Sequence, residues 1–446
     1  DEPDLPEFEW VAACVHQKDL KMLGLIGNGG FCSIHLYTHV PTGQTYAVKR
    51  WSKGYIIRTG MQKQALREKN IMQMMCSPFI IKLYATFNLA EFLWYLIEPA
   101  LGGELYATYK RKQLYGNEAC VKFHIASVVF GLKYMHKLRI LYRGVNPENI
   151  VLSDTGRVKI CDFGLSKVLM TGLTRTTCGV PDYFAPEVIV SAGHDHAVDW
   201  WCLGILLFEL LAGHPPFEAE TPVRTYHKVQ QGIGAVTFPS GARSAQDLIT
   251  RLAQHDPKRR LPMLAGGVEN IKNHKWYKAF NWDAVADGTM TPPFQPVVTG
   301  PADMSNFTAQ KADMPPQLPY RDPRDGWDRD FATKVHEPSK AAIKVAPDSM
   351  EVGNPADNSL KEETNALIMD NAKEDESKML STDTNNQVED DNEMFSKDMN
   401  NQKGDDDKIS STDMPTSDDK VLRLSASESM DTPLMPEVIG AASAGE

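Results

Sequence analysis

One glycine-rich turn and four side chains in this chain have the types and spacing to hold a phosphorylated nucleotide. Ile26-Gly27-Asn28-Gly29-Gly30-Phe31-Cys32-Ser33-Ile34 carries three glycines at its centre, so backbone N–H groups there can approach phosphate oxygens without a Cβ clash. Tyr46-Ala47-Val48-Lys49 follows, and an ammonium on a strand beside such a turn can pair with phosphate. Glu68 is positioned as its partner. Phosphoryl-transfer loops of the pattern R-D-x-x-x-x-N use Asp to accept the substrate hydroxyl proton and Asn to hold a metal ion. In Leu141-Tyr142-Arg143-Gly144-Val145-Asn146-Pro147-Glu148-Asn149, Arg143 and Asn149 stand in that register but Gly144 takes the Asp position. Glycine offers no proton acceptor. Asp162, after the apolar run Val158-Lys159-Ile160-Cys161, supplies a second hard oxygen donor for a metal such as Mg.

The elements that must position these groups can be read from periodicity. Residues 21–50 alternate apolar and polar, broken by the glycine turn and by Pro41-Thr42-Gly43, which predicts three short strands. Helical spacing over 60–75 (Leu66, Ile71, Met74, Met75) ends at Ser77-Pro78. Apolar runs at 80–87 and 92–98 complete a small sheet. After Gly102-Gly103 the texture turns helical, with long apolar-rich helices over 118–137 and 197–212. The expectation is an α+β fold of two lobes: a small antiparallel β lobe with one helix, then a large helical lobe.

Asp162-Phe163-Gly164 and Ala185-Pro186-Glu187 follow the earlier motifs in order, and together they resemble a protein kinase catalytic domain. From about residue 10 to Phe331 the chain is most similar to the AGC group of protein kinases, and within it to cGMP-dependent protein kinase. The resemblance rests on Glu98-Pro99-Ala100-Leu101-Gly102-Gly103-Glu104-Leu105, on the run from Cys178 to Glu187, and on Ala197-Val198-Asp199-Trp200-Trp201-Cys202-Leu203-Gly204. Asn270-Ile271-Lys272-Asn273-His274-Lys275-Trp276, Ser305-Asn306-Phe307 and Gly326-Trp327-Asp328-Arg329-Asp330-Phe331 extend it. The resemblance implies ATP and Mg as cofactors and a kinase domain over 20–276, divided into lobes at 20–101 and 102–276. It implies a wrapped C-terminal tail over 277–331, with an N-terminal extension over 1–19. It also implies that Ile97 is the gatekeeper, that Glu98 and Ala100 offer hinge backbone groups to adenine, and that Glu104 reaches the ribose. Ile34, Ala47 and Val151 would sandwich the base, with Phe307 closing the pocket. Asn149 and Asp162 would be metal ligands. Asp199 would brace the catalytic loop, and Glu187 would pair with Arg260. Thr176 would be the phosphorylated activation-loop residue that pairs with Arg143.

Departures from the family pattern gather at the transferring phosphate. Gly144 replaces the base, Asn146 replaces a lysine that touches the γ-phosphate, and Val180 replaces a threonine that bonds both. Cys32 replaces the third loop glycine and is expected to be an inert thiol. A positioned base contributes about 10²–10⁴ in rate, so the groups that bind are kept while those that transfer are gone. Two functions follow: a nucleotide-binding pseudokinase acting as an allosteric or scaffolding signalling subunit, or a Ser/Thr kinase working through an atypical loop. Glu148, which receives a substrate arginine in basophilic relatives, is retained.

Charge separates the remaining parts. Residues 351–446 hold 24 acidic and 8 basic residues, a net of −16, whereas residues 1–350 hold 34 and 39, a net of +5. That acidic stretch has a single aromatic, Phe395, too little apolar surface to offset ordering entropy. Residues 332–446 are therefore expected to be a disordered acidic tail. The small positive excess of the rest, without a basic cluster interleaved with aromatics, argues against nucleic-acid binding. Seven scattered cysteines suggest no disulfide framework, and no secretory leader is expected in this stretch. An intracellular setting, cytoplasmic or cytoskeleton-associated, is expected. The apolar run 200–213 contains Glu209 and is too short to span a bilayer. No cyclic-nucleotide-binding domain is expected in this chain, and the protein partner or substrate is open.

Overall fold

A computed structural model describes residues 15–333. The expected disordered tail lies outside the described residues apart from Ala332 and Thr333, and the N-terminal extension is described only from Val15. The glycine turn separates β1 (Leu20–Asn28) from β2 (Cys32–His39), and β3 (Thr45–Ser52) follows the Pro41-Thr42-Gly43 turn. The helix expected over 60–75 is α2 (Gln62–Gln73), and a second helix that was not expected, α1 (Lys53–Thr59), precedes it. Gly60 breaks them apart with a left-handed φ of 69° that a side chain would strain. β4 (Leu83–Asn88) and β5 (Phe92–Ile97) complete an antiparallel five-stranded sheet of order β1-β2-β3-β5-β4. The strand expected from residue 80 starts only at Leu83, and Ile80 makes an isolated bridge to Ile160.

The sheet has two buried faces, which decides what each residue can reach. Strand side chains alternate between faces. Leu36, Ala47 and Trp51 point into the main core, whereas Tyr37, Tyr46, Val48, Trp94 and Leu96 form a second cluster on the other face. Pairing sets Ile34 opposite Lys49 and Cys32 opposite Trp51, so these four share the inner face.

The second lobe begins with β6 (Gly103–Glu104), α3 (Leu105–Lys112) and α4 (Glu118–Lys137). Asn117 caps α4 by accepting from the Cys120 amide. β7 (Ile140–Leu141), β8 (Ile150–Leu152), β9 (Val158–Ile160) and β10 (Lys167–Val168) are short and frame the loops that carry chemistry. After α5 (Pro186–Ile189), α6 (Ala197–Ala212) is buried along nearly its whole length. Its one buried acid in the apolar run, Glu209, accepts from the Tyr183 hydroxyl at 2.7 Å, which offsets the cost of its burial. No helix among the described residues is long and apolar enough to cross a membrane.

Residues beyond 277 return to the first lobe. The Phe331 ring is fully buried edge-on to Tyr95 at 5.1 Å, and its carbonyl accepts from the Thr86 hydroxyl at 2.5 Å. Lys53 pairs with Asp328 at 2.7 Å. Thr333 continues this contact by donating its amide to Thr86, so the first two residues of the stretch expected to be disordered are ordered.

Candidate nucleotide site

Lys49 on β3 points down from the inner face of the sheet. Its Nζ lies 2.5 Å from Oε1 of Glu68 on α2 and 3.1 Å from Oδ1 of Asp162. Burial disfavours the ammonium, but the Asp162 and Glu68 carboxylates outweigh it and hold Lys49 well above its usual pKa. The same ammonium holds the Asp162 carboxyl below the usual range. Asp162 remains 52 % exposed at its side chain, which leaves oxygen free for a cation.

Asp162 and Arg143 both have left-handed backbones, with φ of 55° and 61°. Such conformations cost of order 1–3 kcal/mol each in a non-glycine residue, so something must hold them. For the loop around Arg143 it is Asp199 on α6. Its buried carboxylate accepts from the amides of Arg143 at 2.8 Å and Tyr142 at 3.0 Å, and meets His136 Nε2 at 2.8 Å. Asn149 donates its side-chain amide to the Gly144 carbonyl at 3.0 Å, and this bond leaves its Oδ1 unused. Among the described residues no cluster of three or more His, Cys, Asp or Glu could hold a metal unaided. Two oxygen ligands suit a cation that shares phosphate oxygens.

At residue 144 the space for a carboxylate is taken. A Cβ on Gly144 would lie 2.9 Å from Cζ of Tyr142. The Tyr142 ring is buried against Phe163, and its hydroxyl donates to the Cys161 carbonyl at 2.5 Å. Asn146 does not reach into the cleft with its oxygen, because Oδ1 accepts from the amides of Glu148 at 3.1 Å and Asn149 at 2.8 Å. It serves as a local cap. Val180 presents only methyl groups and packs on the core.

The glycine turn is closed by the Gly29 amide bonded to the Cys32 carbonyl at 2.8 Å. Cys32 is buried, and burial pushes its thiol up to about 12. Ser33 is out of phase with the inner face, so its side chain, expected at the nucleotide, turns to the other side of the sheet. Phe31 also departs from expectation: its ring stacks on Trp51 at 6.1 Å and leans on Tyr55 at 5.9 Å. Asn28 is tied to the tail through the Gln310 carbonyl at 2.8 Å.

Further in, Ile26, Ala47, Ile97 and Ala100 are buried, with Ile34 and Val151 partly covered. Glu98 is fixed at the hinge by its amide to the Lys82 carbonyl and by Lys159 at 2.7 Å. Met304 packs over Gly24, Asn306 bonds the Leu101 carbonyl, and Phe307 joins the core between them. Glu104 is mostly buried, and burial followed by the Glu148 carboxylate pushes it up to about 7. Gly27 lies near the end of β1 opposite Ile34, and Gly30 sits in the turn between β1 and β2.

The remaining expected residues lie around this centre. Arg143 donates to the Leu165 carbonyl at 2.8 Å and to the backbone carbonyl of exposed Thr176 at 3.3 Å. Glu187 and Arg260 form a buried bidentate pair at 2.6 and 2.7 Å. Sequence reasoning missed Tyr142 and Trp51. Trp51 had a signal, since it stands two residues after Lys49 on the same strand face. Tyr142 had none, because its role depends on a ring reaching across to Gly144.

The family model for the protein kinase domain matches residues 20–277. The chain is similar to cGMP-dependent protein kinase, isozyme 2 forms cD5/T2, of Drosophila melanogaster, at 39 % identity over 71 % of this chain and 34 % of that protein. It is 37 % identical to cGMP-dependent protein kinase egl-4 of Caenorhabditis elegans, over 73 % of this chain and 42 % of the relative. Human cGMP-dependent protein kinase 2 is 38 % identical over 70 % and 41 %. The chain thus spans less than half the length of these curated relatives.

Proposed function

The chain belongs to the protein kinase family, and from that premise we propose that it binds an adenine nucleotide with Mg yet transfers phosphate poorly or not at all, acting as an allosteric or scaffolding signalling subunit. The residues that would hold the nucleotide fit it: an apolar base pocket, one buried ammonium, and two oxygen donors in Asn149 and Asp162. When bound, ATP would supply the phosphoryl group. What this chain withholds is the means to move it. The observation that carries the reading is the buried Tyr142 ring lying where a side chain at 144 would begin, with its hydroxyl committed to a backbone carbonyl. No proton acceptor is offered there, and neither Asn146 nor Val180 supplies a cation or a hydroxyl. Kinase catalysis is mainly positioning and electrostatic stabilisation, so these losses compound.

A second reading, slow Ser/Thr phosphotransfer, is favoured by the intact Lys49–Glu68 pair and by Arg143 reaching Thr176. The two are separated by γ-phosphate transfer from labelled ATP to an arginine-rich peptide. The natural chain is compared with a Gly144→Asp, Asn146→Lys, Val180→Thr revertant, and with the same revertant carrying Tyr142→His to make room. Turnover confined to a revertant, at about 10² or more above the natural chain, supports the pseudokinase. A natural chain that works as fast as the revertants refutes it.

A further inference from the structure

Three features of the phosphate end of the cleft converge on Cys32. Its Sγ lies 3.0 Å from the point that a Cβ on Gly29 would occupy, directly beneath the roof of the turn. Strand pairing puts it on the inner face with Lys49, and the Lys49, Asp162 and Glu68 charges all act on the thiol. The sulfur therefore lies against the turn, on the strand face that also carries Lys49. Behind it, opposite in register, is the Trp51 indole, with Lys49 Nζ 5.5 Å above its ring and the Phe31 ring stacked on it. A glycine at 32 would leave this volume open to phosphate oxygens; a thiol backed by an indole fills it.

Nor does the loop bring a charge to a third phosphate: Asn146 and Val180 are uncharged, and Lys49 is already shared between two carboxylates. A γ-phosphate would bring added negative charge next to the Asp162 and Glu68 carboxylates that already share Lys49. We propose that Cys32, backed by Trp51, limits the length of the phosphate chain the cleft admits, so that this protein takes adenosine diphosphate in preference to the triphosphate. The inference rests on the nucleotide-binding reading above and adds its ligand specificity.

The test is titration calorimetry and thermal shift of the full chain with adenosine, ADP and ATP, each with and without Mg. The expected result is tighter binding of ADP than of ATP by several-fold, with Cys32→Gly moving the ratio toward ATP by about tenfold, a change of about 1.4 kcal/mol. Cys32→Ala, which keeps Cβ and removes only the sulfur, moves it the same way. ATP binding as tightly as ADP or more so in the natural chain overturns the inference and leaves nucleotide binding intact. A ratio unchanged in both variants also overturns it. Absence of binding by all three ligands overturns the nucleotide reading itself and this inference with it.

Discussion

Glu104 offers the sharpest quantitative test of the site, because its environment works against its charge. It precedes α3, mostly buried, beside the Glu148 carboxylate, and its carboxyl is raised from 4.5 to about 7 by burial first and Glu148 second, against a smaller pull from the Ala107 amide. A displacement of that size corresponds to roughly 3 kcal/mol. The sign follows from linkage. Below 4.5 both folded and unfolded chains hold the proton and the group costs nothing. Between 4.5 and about 7 the folded chain keeps a proton that the unfolded chain has lost, so stability falls as pH rises. Above about 7 the full penalty is present. Glu104→Gln removes the charge at nearly constant volume. At about pH 8 the variant should therefore be more stable by up to roughly 3 kcal/mol, several degrees in Tm, and the gain should shrink toward zero at about pH 5. Glu148→Gln should give a smaller gain with the same pH dependence. Thermal unfolding across that range is the assay. A difference of equal size at both ends, or a loss of stability at high pH, would refute the electrostatic account.

Three further outcomes follow from burial and pairing. Pulse alkylation at about pH 8 should label exposed Cys76 and spare Cys32, whose thiol is buried and raised to about 12; peptide mass spectrometry showing Cys32 modified as fast as Cys76 would contradict the packing described. Arg260→Ala strands the buried Glu187 carboxylate and should cost about 3–5 kcal/mol in denaturant unfolding, with a change under about 1 kcal/mol counting against it. Phe331→Ala empties a fully buried site against Tyr95 and should cost about 3–5 kcal/mol; an unchanged midpoint would mean the tail does not hold the first lobe.

The family, the two-lobed α+β order and the loss of a base at Gly144 were legible in the chain alone, because these are properties of residue type and linear spacing. Helices at 118–137 and 197–212 were legible to the residue, since long periodic apolar patterns with caps have few alternatives. The short α1 over 53–59 was not, since seven residues ended by the left-handed Gly60 carry too little periodicity to stand out beside the strand before them. Which of the named residues share the inner face of the first-lobe sheet depended on tertiary packing. Strand pairing put Cys32 on the inner face and Ser33 on the other, and cross-sheet stacking drew Phe31 onto Trp51. Burial then brought Tyr142 over Gly144 and Glu104 beside Glu148. Each of these depends on contacts between residues distant in the chain or on which face of a strand is buried. Linear spacing carries no information about that until the core has formed.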